Sequence, residues 1–208
     1  MNNKFFFTSG QFIGLFDFLI NVKDQNQRCI LRRCEQAIAP ITAISSLGNL
    51  VVTGGEDGGV TLWDVSTKEP YFKDTLLVHQ LSSISSICIN EMFGLVICCD
   101  LNDLRLLEIS HIYDVEDQNS NTNNYIMTLP KKVLMTDGLG YILVLTARNE
   151  IVNFTSSLER IKSMTYDVKI VDFWTLTSKS GIDYFAAVNE TNNILIYNAF
   201  NLEFEIFV

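Results

Sequence analysis

The sequence predicts an all-β fold of about five four-stranded antiparallel sheets in succession, and three observations point that way. Residues 49–65, NLVVTGGEDGGVTLWDV, spell a hairpin with a strand over Leu50–Thr53 and a turn at Glu56-Asp57-Gly58-Gly59. In its second strand Val60, Leu62 and Asp64 alternate with Thr61, Trp63 and Val65, and Asp-Gly in the turn tolerates the positive φ that such connections need. Strand endings like that at Trp63 recur at Phe16, Leu107, Phe154 and Tyr197, at intervals of 47, 44, 47 and 43 residues. Four strands and their turns fill such a period, and sheets repeated at it stack radially as the blades of a β-propeller. No stretch reads as a long amphipathic helix; 156–164 is the one mild candidate, and the repeat phase assigns it to a strand.

Taken in order, the units cover about 1–39, 40–80, 81–131, 132–166 and 167–208. The first lacks a strand: KFFFTS and FIGLFDF are its middle strands and CILRRCEQ its outer one. Pro40 opens the second unit at a strand edge, where a missing N–H costs little. ITAISSL, LVVTGG, VTLWDV and KDTLLVHQ follow as its strands. The third unit runs SISSICINE, GLVICCD and LRLLEIS, with its turn at Leu101-Asn102-Asp103. A polar insertion, HIYDVEDQNSNTNN, then reads as a mobile loop before YIMTL. KKVLMTD, YILVLTA, EIVNFTS and ERIKSMTY make the fourth unit. KIVDFWTLTS, DYFAAVNE, NILIYNA and LEFEIFV make the fifth, with a turn at residues 190–193. Five units are too few for a seven-bladed ring, so an incomplete or open ring with exposed edges is expected.

The Trp63-Asp64 ending resembles the blade signature of the WD-repeat family. That resemblance implies a buried polar network per blade: a histidine before the first strand, a Ser/Thr in the second, an Asp in the turn and the Trp. The second unit matches it with Thr53, Asp57 and Trp63, followed by Asp64, but carries Gln36 or Ala37 at the histidine position. His79 precedes the third unit, which has Leu107 in place of Trp. These residues read as structural. A closer resemblance covers most of 40–200, where PITAISSLGNLVVTGGEDGGVTLWDV, Met92-Phe93-Gly94-Leu95-Val96, LPKKVLMTDGLGYILVLTA and GIDYFAAVNETNNILIYNAF look like the C-terminal propeller of Beige/BEACH proteins. It implies a noncatalytic scaffold in vesicle and membrane trafficking, with protein partners that include a BEACH domain in cis or trans.

A net charge of −9 repels phosphate backbones and argues against nucleic acid as a partner. The odd count of five cysteines, with no zinc-knuckle spacing, reads as reduced thiols, three of them in apolar strand runs. The Phe-rich start is interrupted by Asp17 and lacks a cleavage site, and no apolar run approaches a bilayer span of about 20 residues. A cytoplasmic protein, peripheral on endomembranes at most, is expected. Asn153 and Asn189 fall in glycosylation sequons that carry little weight without a secretory signal. No nucleophile elbow, P-loop or zinc-protease helix occurs, and two histidines offer little to a catalytic or metal cluster. Asp114, Glu116 and Asp117 read as a solvated acidic loop without the glycine of a calcium loop. No enzyme activity and no cofactor are therefore expected. Leu31-Arg32-Arg33-Cys34 resembles the Phe-Arg-Arg-Gly signature of phosphoinositide-binding propellers, and so Arg32 and Arg33 carry the alternative reading, a membrane-acting propeller in autophagy.

Overall fold

The computed structural model describes residues 3–20, 27–64, 71–77, 82–90, 92–108, 123–126 and 129–207. They form five antiparallel sheets, each made of consecutive strands. Blade 1 has three strands, β1 (Asn3–Ser9), β2 (Phe12–Ile20) and β3 (Gln27–Gln36). Blade 2 comprises β4 (Ile41–Leu47), β5 (Leu50–Gly55), β6 (Gly59–Asp64) and β7 (Tyr71–Leu77). Blade 3 comprises β8 (Ser86–Asn90), β9 (Leu95–Cys99), β10 (Asp103–Glu108) and β11 (Asn123–Ile126). Blade 4 comprises β12 (Pro130–Met135), β13 (Ile142–Thr146), β14 (Glu150–Phe154) and β15 (Arg160–Thr165). Blade 5 comprises β16 (Ile170–Thr177), β17 (Asp183–Asn189), β18 (Ile194–Asn198) and β19 (Phe204–Phe207). The first strands β4, β8, β12 and β16 lie side by side, with β1 next to β4, in the arrangement of an open propeller. Among the described residues no helix is long and apolar enough to cross a membrane.

The sheets are held by cores between their flat faces. Val52, Val60 and Leu62 of blade 2 meet Ile87, Ile89, Val96, Cys98 and Leu107 of blade 3. Cys88, Ile97, Cys99, Leu104 and Leu106 on the other side of blade 3 meet Val133, Ile142, Val144 and Phe154 of blade 4. Leu143, Leu145 and Ile151 of blade 4 then meet Phe173, Phe185, Ala187 and Tyr197 of blade 5. At the joint between blades 1 and 2 the described side chains include Ile13 and Ala37 against Val51 and Trp63. A middle strand thus buries both faces, which is why LVICC and ILVLT are unbroken apolar runs and not alternating ones. Successive residues Cys98 and Cys99 enter different cores.

The inner strands leave backbone groups that no strand pairs, and small hydroxyls take them up. Ser45 Oγ in β4 accepts the Ile89 N–H of β8 at 3.2 Å, and Ser86 Oγ in β8 accepts the Val133 N–H of β12 at 3.1 Å. The ladder between third and fourth strands shifts register at Leu62/Trp63, Asn153/Phe154 and Ile196/Tyr197. A bulge re-aims a side chain, and here it coincides with the bulky marker of each of these blades. In blade 1 the ladder between β2 and β3 shifts register between Ile13 and Leu15. Residues 111–122 of the insertion and His79 lie outside the described residues, and its last two residues, Asn123 and Asn124, open β11.

Candidate interaction surface

Antiparallel succession sorts the turns onto two ends. The turns between first and second strands, and between third and fourth, share one end; those between second and third strands share the other with the links from blade to blade. Hydrogen bonds confirm the second grouping, since Glu56 N–H donates to Pro40 C=O at 2.9 Å, Ala147 N–H to Leu129 C=O at 2.9 Å and Glu190 N–H to Lys169 C=O at 3.1 Å.

At the link end, side chains cap the turns. Asp57 Oδ1 accepts the Gly59 N–H at 3.0 Å, Asp100 Oδ1 accepts those of Asn102 and Asp103 at 2.7 and 2.8 Å, and Asn189 Oδ1 accepts those of Thr191 and Asn193 at 3.0 and 2.9 Å. Trp63 is fully buried and donates its indole N–H to Thr53 Oγ1 at 2.9 Å, so these two expected partners do meet. Asp57 stays at the exposed turn, and Asp64 ends β6 half-buried. Ala37 is buried and packed with Val51 and Trp63. Arg32 and Arg33 are residues of strand β3, with Arg32 opposite Leu15; their side chains lie outside the described part. The starts of the inner strands surround a recess lined by Thr42, Ile44, Ser85, Lys131, Lys132 and Asp172. Lys132 there is tied to Asp172 and to the Phe173 carbonyl.

The other end exposes apolar turn residues, as Ile38 and Leu101 do at the link end. Met92 in the β8–β9 turn is 77% exposed, Leu139 in the β12–β13 turn 60%, and Phe200 in the β18–β19 turn 55%, with Ile182 and Phe93 beside them. The strip is continuous. Phe93 sits against Gly140, whose φ of +71° and missing side chain make room for the ring. Tyr141 and Phe200 rings lie 5.8 Å apart.

A buried carboxylate fixes the turn that carries Leu139. Asp183, at the start of β17, accepts Thr136 Oγ1 and Leu139 N–H on Oδ2, both at 2.7 Å, and Thr177 Oγ1 and Gly138 N–H on Oδ1, at 2.7 and 3.1 Å. Burial pushes its pKa up, but the four hydrogen bonds outweigh burial and hold the carboxyl below its ordinary 3.8. Asn90 donates to the Thr136 carbonyl at 3.1 Å, and Asn153 to the Ala199 carbonyl at 2.7 Å, so blades 3, 4 and 5 are tied together beneath the strip. Sequence reasoning missed this clamp. The available signal was a buried Asp opening a strand after the Ser-Lys-Ser-Gly turn.

Among the described residues no group of His, Cys, Asp and Glu could hold a metal ion. Burial pushes the thiols of Cys88 and Cys99 up to about 11 and raises that of Cys98, so all three are protonated at neutral pH.

No protein-family model matches the sequence, and no curated protein matches it. Among solved structures 1199 chains match, so the fold is common and does not by itself select a function. One is a chain of the crystal structure of a mitotic checkpoint complex, with a TM-score of 0.66 and 14% identity over 98% of this chain. The present chain spans 61% of that chain's length. The likeness shows the fold, a WD40-like β-propeller.

Proposed function

We propose that the chain is a noncatalytic protein-interaction platform that receives partners on the end carrying Met92, Phe93, Leu139, Ile182 and Phe200. The observation that carries this reading is a continuous apolar strip held on clamped turns, where a monomer gains nothing from exposing it. The similar chain belongs to a multiprotein complex, which agrees with protein partners. The finer reading makes the platform the WD-repeat part of a BEACH-type protein in vesicle and membrane trafficking, cytoplasmic and peripheral on endomembranes. It rests on the resemblance over 40–200. Titrating the chain with a purified BEACH domain tests it: binding weakened at least tenfold by Leu139→Asp supports both readings. Absence of binding removes the BEACH reading and leaves the platform to be tested with other partners.

The second reading, a phosphoinositide-binding propeller acting in autophagy, rests on Arg32 and Arg33. One observation favours it: the β2–β3 ladder shifts register beside them, between the Ile13–Glu35 and Leu15–Arg32 pairs. Sedimentation with phosphoinositide-containing liposomes decides it, with Arg32→Ala plus Arg33→Ala expected to abolish pelleting.

A further inference from the structure

The strip at the turn end has a regular spacing. In blades 2, 3 and 4 the turn between first and second strands closes through a glycine of positive φ, Gly48 at +61°, Gly94 at +63° and Gly140 at +71°. The residue before each is apolar: Leu47, Phe93 and Leu139. Blade 5 closes its turn through Gly181 at +81° and places Ile182 after it. Leu47 is half-buried, while Phe93, Leu139 and Ile182 are exposed, so the accessible positions fall on three successive blades. Sheets packed face to face lie about 10 Å apart, and that is the step from one position to the next.

The step selects the shape of what can cover the strip. On an α-helix, residues seven apart share a face and are separated by a rise of about 10.5 Å, one step of the strip. On an extended chain, side chains on one face repeat every ~6.7 Å, and a move of three residues, about 10 Å, turns to the opposite face. Three blades therefore match a helix of about four turns and do not match a strand. Phe200, whose ring lies 5.8 Å from that of Tyr141, widens the strip between blades 4 and 5. It suits an apolar residue three or four places along the same helix face.

Charge selects the composition of that helix. The turns of blade 4 expose Asp137 and Glu159, and neither has an ion-pair partner among the described residues. The cations that follow on β15 are engaged, Arg160 with Glu150 at 3.5 Å and Lys162 with Glu203 at 3.9 Å. Lys179 is the one exposed cation on the described turns of this end. With −9 over the whole chain, the field at the strip favours a cationic partner. We infer that the partner seated here is a basic amphipathic helix, its apolar face on Phe93, Leu139 and Ile182 and its lysines or arginines beside Asp137 and Glu159. The inference rests on the platform reading and adds the partner's chemistry to it. A strip of this length buries less than the ~800 Å² per partner of a standard interface, so affinity is micromolar.

Three synthetic peptides of about 18 residues, long enough for the helix, test it by fluorescence anisotropy against the full chain. One carries leucines at helical spacing and lysines elsewhere, the second has glutamates in place of the lysines, and the third alternates leucine and lysine as a strand would. The helical lysine peptide should bind at least ~tenfold tighter than either of the others. It should also gain helix on saturation, which far-ultraviolet circular dichroism reads easily against an all-β chain. Leu139→Ser with Ile182→Ser should weaken it at least ~tenfold, while Ile38→Ser at the link end should bind like the parent. Asp137→Asn with Glu159→Gln should narrow the preference for lysine over glutamate. Circular dichroism of each variant alone checks its fold, and Leu139→Ser by itself replaces the double change if that is unfolded. Equal binding of the two helical peptides, no gain of helix, an unchanged preference in the Asp137/Glu159 variant, or no binding at all overturns the inference, and the platform is then judged by its own titration. Preference for the alternating peptide, lost in the Leu139/Ile182 variant, overturns the helix and leaves the platform standing. Peptides that bind the parent and that variant alike overturn both.

Discussion

Asp183 is 3% exposed and still ionised, because four donors from the turn after β12 and from β16 converge on its two oxygens. Removing the charge leaves those donors facing an amide that cannot accept them all, a loss of about 2–4 kcal/mol. Asp183→Asn should therefore lower the urea midpoint at pH 7, and an unchanged midpoint would refute the clamp. The folded pKa lies below the unfolded value, so this contribution is present above about 3.8 and is lost as pH falls through the lower folded pKa. The variant should lack that part of the acid loss. Leu202 offers a different test. It has a φ of +58°, a conformation that costs a side-chain-bearing residue about 1 kcal/mol, and is fully buried between blades 4 and 5. Leu202→Ala should cost about 2–4 kcal/mol through the cavity it leaves. Leu202→Gly should be no worse than Leu202→Ala, the reverse of the order in an ordinary strand, because glycine relieves the backbone. A glycine variant clearly less stable than the alanine variant would mean that the positive φ is unstrained.

Strand β9 shows what burial on both faces does to chemistry. Cys98 and Cys99 enter the cores on either side of blade 3, and Cys88 in β8 joins the one toward blade 4. These three thiols should resist a colorimetric disulfide reagent at pH 8 in the native chain and react in denaturant; rapid native labelling of any of them, mapped by mass spectrometry, would contradict the packing. For Cys88 and Cys99 the folded pKa of about 11 exceeds the ordinary 9.0. Their share of stability is therefore complete below about 9 and drains away as pH rises toward 11, where the unfolded chain alone ionises. Much of this was legible in the sequence. The unbroken apolar runs of β9 and β13, the Asp-Gly turn before β6 and the spacing of Trp63, Phe154 and Tyr197 are local patterns that fix strand and repeat. The clamp was not, because Thr136 and Asp183 are 47 positions apart and meet only once two blades have packed. The apolar strip was hidden for the same reason: Met92, Leu139 and Phe200 look like isolated turn residues until antiparallel succession brings them to one end. The histidine-free network around Trp63 could be read only in part, since Thr53 reaches the indole and Asp57 stays at its turn.

In a chain of blades each unit touches only its neighbours, so stability is a sum of blade terms and joint terms and need not be uniform. Among the described residues the joints are held in different ways. Blades 3 and 4 share a core running from Cys88 to Phe154, and blades 4 and 5 add Asp183, Asn153 and the ion pair of Lys132 with Asp172 to theirs. Blades 1 and 2 meet through Ile13, Ala37, Val51 and Trp63, and blade 1 has three strands where the others have four. A sheet of three strands has fewer ladder bonds to hold it, and its opening free energy falls with them. Hydrogen exchange followed by mass spectrometry should then give the slowest amides in β9, β13 and β17 and faster ones in β2, a strand of the three-stranded sheet. The shift from slow to fast should come at the joint itself, between β2 and β5, and not gradually along the chain. Trp63→Ala, by emptying the centre of that joint, should speed exchange in β2 and β5 while leaving β13 and β17 within twofold of the parent. Equal acceleration in all five sheets would mean that the propeller opens as one cooperative unit, and the additive picture of blades and joints would fail.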